Sequence, residues 1–247
     1  MSESDGDGPE DGGRTAPAPR TVAEERTLSP MRRTIADRLG ESYRNAVHVT
    51  VSREVDAEAL VDAADRADDE LDADVSLIDV LLLAVSAALD EHPAFNATFD
   101  DGTHRVYEEH NLAVAVTIEA GLVTPVIADV GGESLAEVAA ERRRLTDLVQ
   151  AGDHSMSDLR GGTFTVSNLG PLGVDSFTPI INPPEVAILG VGRTRGRAVP
   201  DGDGVEFRRW MTLDLSIDHR VVDGADGARF LGTLAEHVED AGALVDG

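Results

Sequence analysis

Residues Ser216 to Gly227, SIDHRVVDGADG, place a histidine, an aspartate four positions later and two glycines at the end of an apolar run. The residues leading in, Trp210-Met211-Thr212-Leu213-Asp214-Leu215-Ser216-Ile217, alternate apolar with small polar side chains. That period of two marks a half-buried strand, which should end at Asp218 and leave His219 at its tip. Val221-Val222 is too short for another element, and Asp223-Gly224 is a helix-entry signal ahead of a helical run from Ala225 to Val238. The order is strand, tight connection, helix. Two readings of its polar residues stand side by side. In one, His219 is a turn histidine satisfied locally and Asp223 only caps the helix. In the other, His219 is a general base, because imidazole is the side chain best matched to moving a proton at about pH 7. The glycines and the arginine flank favour the second.

The charge balance excludes some functions. Of 247 residues, 47 are acidic and 21 basic, for a formal net charge of −26, and every basic residue is arginine; there is no lysine. Such a surface repels nucleic acid and anionic membranes, so neither is an expected partner. It suits the salt-rich cytoplasm of a halophile, where screening suppresses self-repulsion, and the composition is of the haloarchaeal type. The absence of cysteine removes disulfides, thiolate metal sites and a cysteine nucleophile. The chain shows neither an apolar stretch of signal-peptide length nor a run approaching the about 20 residues of a membrane span, which points to a cytoplasmic protein.

Read in order, residues 1–27 form a disordered acidic leader rich in Gly, Pro, Asp and Ser. Order begins at Ser29-Pro30, a cap and first-turn proline, after which Met31, Ile35 and Leu39 share one helical face. Arg32, Arg33 and Arg38 lie off that stripe, solvated or paired with nearby acids, and are also among the few local positive charges available to a phosphate-bearing ligand. Val47, Val49 and Val51 alternate with His48, Thr50 and Ser52 as a strand, a helix follows from Asp56, and a nearly all-apolar buried helix runs from Ser76 toward Pro93. Phe95–Phe99 and Thr103–Tyr107 flank the hairpin turn Asp100-Asp101-Gly102, and Leu112–Ile118 with Leu122–Ala128 form a similar pair around Glu119-Ala120-Gly121. Ser134 and Glu137 make a capping box for a helix ending near Gly152, with Arg142, Arg143 and Arg144 facing solvent. Strands follow at Gly161–Gly170 and Val186–Gly192, a loop at 200–204, and a long strand from Val205 toward His219. The other six histidines are scattered, and no metal site is expected. Mixed elements without strict βαβ alternation give an α/β chain of the α+β kind, a mixed-sheet sandwich.

Three stretches carry a resemblance: GGTFTVSNLG (Gly161 to Gly170), SFTPIINPPEVAILGVG (Ser176 to Gly192) and SIDHRVVDGADGARFL (Ser216 to Leu231). With SPMRRTIADRL and AGLVTPVI, they make residues 28–247 similar to the catalytic domain of the dihydrolipoamide acyltransferases, the core component of 2-oxoacid dehydrogenase complexes. The arginine of DHRVVDG favours that branch over its chloramphenicol acetyltransferase relatives. The resemblance implies a chloramphenicol acetyltransferase-like two-layer sandwich with a mixed β-sheet. It implies a homotrimer, or a higher multiple of trimers, with active sites in channels between subunits. It also implies thioester exchange between a dihydrolipoyl group and coenzyme A, alongside the other components of such a complex. His219 becomes the general base, Ser167 the hydroxyl that stabilises the oxyanion, and Asp223 the residue fixing local geometry; the residues that hold coenzyme A are not assigned.

The chemistry of the residues agrees with these roles. A thiol with a pKa of about 8.5 is mostly protonated at neutral pH and needs a base, and the oxyanion that follows attack needs a preplaced donor. One departure stands out. Relatives carry a lipoyl domain and a small subunit-binding domain ahead of the core, whereas here about 27 residues precede it, and a chain without lysine cannot carry a lipoyl group. A separate lipoyl carrier protein would therefore act in trans. The alternatives are a coenzyme A-dependent transferase for a small alcohol or amine, or a catalytically silent trimeric scaffold.

Overall fold

Ser29 and Pro30 start the first helix: the Ser29 hydroxyl accepts the Arg32 N–H at 3.2 Å, and α1 runs Pro30–Asn45. The structure, a computed structural model, describes residues 20–71, 73–118, 121–202 and 204–245. Residues 1–19 of the expected leader lie outside the described residues, as do Glu119 and Ala120 of the second expected turn. After α1 come β1 (His48–Asp56), α2 (Glu58–Glu70), α3 (Leu77–Glu91), β2 (Ala97–Asp100) and β3 (Thr103–Val106). Next are β4 (Leu112–Val114), β5 (Val116–Ile118), β6 (Gly121–Val123), β7 (Val126–Ile127) and α4 (Leu135–Ala151). The chain ends with β8 (Phe164–Asn168), β9 (Ala187–Val191), β10 (Arg195–Asp201), β11 (Gly204–Asp218), α5 (Gly224–Glu239) and α6 (Gly242–Val245).

Seven strands make one mixed sheet in the order β1-β11-β9-β8-β4-β7, with β10 beside the first half of β11. Strand β8 runs parallel to β4 and β9, and the remaining pairings are antiparallel. Met211, Leu213, Leu215 and Ile217 of β11 enter the apolar core with Phe164 and Val166 of β8 and Leu189 and Val191 of β9. The core also takes in α2, α3 and α5, and Phe230 of α5 packs 4.9 Å from Phe95 and 5.7 Å from Phe164 between ring centroids.

The other face of β11 departs from expectation. Asp214 and Ser216 are fully buried, so the strand is covered on both sides. Their polar groups are met by neighbours: Ser216 Oγ lies 2.7 Å from Thr50 Oγ1, and Asp214 accepts Ser52 Oγ–H at 2.5 Å and Ser176 Oγ–H and Phe177 N–H at 3.0 Å. Alternation reports that two faces differ. It does not report that a polar face is covered.

The first hairpin forms as expected, with Asp101 (φ 47°) and Gly102 (φ 73°) both left-handed in the two-residue turn. The second divides: β4 and β7 join the main sheet while β5 and β6 make a separate ribbon. The expected loop at 200–204 is the turn between two strands, and β10 was not legible because its residues are largely exposed and include Pro200, which an edge strand tolerates. The expected capping box forms at Ser134/Glu137, two more form at Ser76/Asp79 and Asp223/Asp226, and α4 stops at Gly152. The arginines expected to face solvent separate. Arg144 pairs with Glu141 at 2.7 Å on the surface and Arg143 binds Asp74, but Arg142 reaches across to the fully buried Asp79 of α3.

Candidate active site

The pairing of β1 with β11 ends with His48 opposite Asp218, and one rung further the His219 N–H donates to Val47 O at 2.8 Å. Asp218, buried beside it, accepts the Val47 N–H at 3.3 Å and the Arg220 N–H at 3.1 Å, and the Arg220 guanidinium closes on both carboxylate oxygens at 2.5 to 3.1 Å. Burial pushes the Asp218 carboxyl up, but the bonds from Arg220 and Val47 outweigh it and hold the group below its ordinary value. Arg220 also lies over the Phe99 ring at 4.7 Å. The N–H groups of Val221 and Val222 return to Asp218 O. The backbone on both sides of His219 is thereby fixed, while its imidazole is exposed and has no hydrogen-bond partner among the described residues.

Asp223 caps α5: one carboxylate oxygen accepts the Ala225 N–H at 2.8 Å and the Asp226 N–H at 3.0 Å. Those backbone bonds, that from Asp226 foremost, hold its carboxyl below the usual range. The helix-cap reading of Asp223 is therefore realised, and the cap anchors the far end of the His219 connection. His48, by contrast, has both ring nitrogens engaged, Nδ1 with Ala46 O at 3.3 Å and Nε2 with the Ile181 N–H at 3.2 Å.

Alternation along β8 sends Phe164 and Val166 into the core and Thr165 and Ser167 to the opposite face. There they line a cavity of about 380 Å³ whose other walls come from Met31, Ile35 and Leu39 of α1, together with Leu122, Met156 and Ile180. The α1 stripe thus faces this cavity, where a stripe of that period usually meets a core. The Ser167 hydroxyl has no partner among the described residues, which leaves it available as a donor to whatever occupies the cavity. Helix α1 is tied to the segment after Ile180 by Ser42 Oγ–H to Ile181 O at 2.6 Å and by Arg38 to Pro183 O at 3.0 Å.

Ser167 and His219 do not meet within one chain. Gly190 of β9 pairs with Ser167 on one side and Asp214 on the other, and His219 lies five residues beyond Asp214. At about 3.4 Å per residue and about 4.8 Å per strand, the two backbones are roughly 20 Å apart. Sequence reasoning missed the Asp218–Arg220 fork and the polar group of Thr165, Asn182 and Glu185. The first had a signal in the Asp-His-Arg order, where residues two apart flank the histidine. The second joins residues 17 and 20 positions apart and had none.

This sheet, with its parallel central strand and with α2, α3 and α5 against one face, is the fold of chloramphenicol acetyltransferase, matched at a TM-score of 0.52 with 17% identity over 83% of this chain and 93% of that one. Within that fold the assignment sharpens: the family described as 2-oxoacid dehydrogenases acyltransferase (catalytic domain) matches residues 21–245, and the chain belongs to it. It is 36% identical over 229 residues to the dihydrolipoyllysine-residue acetyltransferase component of the pyruvate dehydrogenase complex of Rickettsia bellii, covering 90% of this chain and 55% of that one. The chain spans about half the length of the curated relatives it matches. Among solved structures, the dihydrolipoamide acetyltransferase of Azotobacter vinelandii, studied for the role of a serine, a histidine and an asparagine in its catalytic mechanism, matches at a TM-score of 0.86 and 31% identity. That match covers 93% of this chain and 99% of the other, as does the cubic core of the pyruvate dehydrogenase multienzyme complex at the same score and identity.

Proposed function

We propose that residues 28–247 are the catalytic domain of a dihydrolipoamide acyltransferase that exchanges an acyl group between a dihydrolipoyl thioester and coenzyme A, with His219 as general base, Ser167 as oxyanion donor and Asp223 as the residue that holds the histidine connection. The observation that carries it is spacing. In the Azotobacter vinelandii enzyme the serine and histidine stand 52 positions apart and the asparagine 4 further on. Ser167, His219 and Asp223 repeat those intervals, with aspartate in the third place.

The reaction follows from the groups present. The thiol of coenzyme A gives its proton to His219 as its sulfur attacks the thioester carbonyl of the acyl-dihydrolipoyl group. The carbonyl oxygen takes the negative charge and receives the Ser167 O–H bond, a kind of donor whose loss costs on the order of 3 kcal/mol in the barrier. Collapse breaks the bond to the lipoyl sulfur, which takes the proton back from the imidazolium. No acyl-enzyme forms, and neither the attack nor the collapse needs a cysteine.

The separation of roughly 20 Å within one chain supports a site shared between subunits, in a homotrimer or a multiple of trimers. The 247 residues hold no lysine on which a lipoyl group could sit, so the lipoyl group that brings the acyl group lies outside these residues, within a 2-oxoacid dehydrogenase complex. The test mixes two inactive variants, Ser167→Ala and His219→Ala, unfolded and refolded together, and follows thiol release from acyl-coenzyme A with free dihydrolipoamide. Mixed assemblies should regain activity well above either variant refolded alone, because some interfaces join an intact serine to an intact histidine. No recovery in confirmed mixed assemblies means the roles are misassigned. Activity on small alcohols alone selects the alcohol-transferase alternative, and none in the unaltered protein selects a silent scaffold.

The acidic, lysine-free surface supports a protein of a salt-rich cytoplasm, and no helix among the described residues is long and apolar enough to cross a membrane. A net charge of −26 in 26.1 kDa repels itself unless screened. The melting temperature should therefore rise from low salt to molar potassium chloride, and a flat or falling curve in a thermal melt removes the halophile reading.

A further inference from the structure

Behind the wall beside Ser167 stands a carboxyl to which the reaction above gives no task. Glu185, 5% exposed, accepts the Thr165 hydroxyl at 2.5 Å on one oxygen and the Asn182 amide N–H at 2.8 Å on the other. The Asn182 nitrogen also stands 3.4 Å from Thr165 Oγ1. Gly162 leaves room for the group, since a Cβ there would lie 2.8 Å from the nearer carboxylate oxygen. Thr165 and Asn182 line the Ser167 cavity, whereas Glu185 lines a second cavity of about 350 Å³ that it shares with Asp218 and Arg220. The carboxyl thus stands between the serine cavity and the base of the His219 connection.

Charged groups approach it from both cavities, and His154 lines the Ser167 cavity with Thr165 and Asn182. Arg38 of α1 is the nearby cation, its guanidinium held by Pro183 O, and Glu41, Asp100, Asp101 and the Asp218–Arg220 pair line the second cavity. Burial raises the Glu185 pKa to about 7, against the opposing pull of the Thr165 and Asn182 bonds and of Arg38. With its nitrogen turned to Glu185, Asn182 has its amide oxygen on the far side, without a partner among the described residues. A protonated Glu185 must donate, and Thr165 already donates to its other oxygen. The acceptor that leaves the Thr165 bond in place is the Asn182 oxygen after a half-turn of the amide, which moves the NH₂ group to the cavity side.

We propose that Glu185 is a positioning residue that, through Asn182, sets whether the wall beside Ser167 offers a hydrogen-bond acceptor or a donor. Ionised, it holds the Asn182 oxygen toward the cavity, where that oxygen takes an amide N–H of a thiol-bearing arm; dihydrolipoamide and the pantetheine of coenzyme A both carry one. Protonated, it turns a donor toward that same N–H, and the arm binds less well.

The inference rests on the acyl-transfer reading, so it is tested by equilibrium binding, which needs no turnover. Calorimetric titration of coenzyme A and of dihydrolipoamide, each alone, compares the unaltered protein with Glu185→Gln and Asn182→Ala from about pH 6 to about pH 8.5, a range bracketing the Glu185 value. For one of the two probes the Kd of the unaltered protein should rise about fivefold as pH falls through that range, the scale of one hydrogen bond. The rise should vanish in both variants, and far-ultraviolet circular dichroism should confirm that each is folded. Failure of both probes to bind, a Kd flat with pH in the unaltered protein, or a rise that survives in Glu185→Gln overturns the proposal. Thiol release assayed on the same samples reports separately on acyl transfer, so absence of turnover with a pH-dependent Kd would remove the reaction and keep the switch.

Discussion

Replacing His219 with alanine is expected to leave the protein folded and assembled and to lower turnover by on the order of a hundredfold or more, the usual scale for a general base. The expectation of intact folding comes from the connection's construction. Its backbone is held by the Val47 bond, the Asp218–Arg220 fork and the Asp223 cap, none of which uses the imidazole. The ring is exposed and has no partner among the described residues, so its removal opens no hole, and a stability change within about 0.5 kcal/mol is expected. Steady-state kinetics beside a thermal melt separate the two effects. Retention of most activity in a folded, assembled variant would remove His219 from the mechanism.

The largest effect on stability should come from Arg142→Ala. Asp79 is fully buried at the start of α3, where it accepts the Ser76 N–H and hydroxyl at 2.8 Å and the Nε–H and Nη2–H groups of Arg142. Taking away one partner of a buried pair leaves a charge without compensation, which costs about 3 to 5 kcal/mol. The two Ser76 bonds persist in the variant, so the lower end, about 3 kcal/mol, is expected. Arg144→Ala breaks a surface pair two positions away and should cost under about 0.5 kcal/mol. Urea unfolding at constant high salt compares the two. Equal midpoints would show that the buried pair contributes no more than the exposed one.

That contrast also shows where sequence reading stopped. Arg142, Arg143 and Arg144 are adjacent in a polar helix and carry no local mark that one of them reaches a buried carboxylate 63 positions earlier. Signals within one element were legible: the Ser29, Ser76 and Ser134 caps, the Asp101-Gly102 turn and the end of β11 at Asp218 all follow from near neighbours. Strand β10 was not, because an exposed edge strand rich in arginine and containing proline lacks the alternation that burial imposes. The proposed site residues, His219, Ser167 and Asp223, were named from their motifs. Their separation in space depends on the strand order β11-β9-β8, a long-range pairing that no short stretch encodes. Glu185 escaped for the same reason: its neighbours are set by how the segment after Ile180 folds back on β8.

The apolar stripe of α1 has an evolutionary consequence. Ile35 and Leu39 line the Ser167 cavity and lie outside the main core, and Leu39 is 38% exposed. Side chains in a close-packed interior are locked in size by their neighbours, and those at a ligand wall are not. Lengthening or trimming residues along this helix changes the room left for a guest while the sheet and its aromatic packing stay as they are. One helix can therefore diversify what related proteins accept, and the scaffold that holds the reacting groups is inherited unchanged.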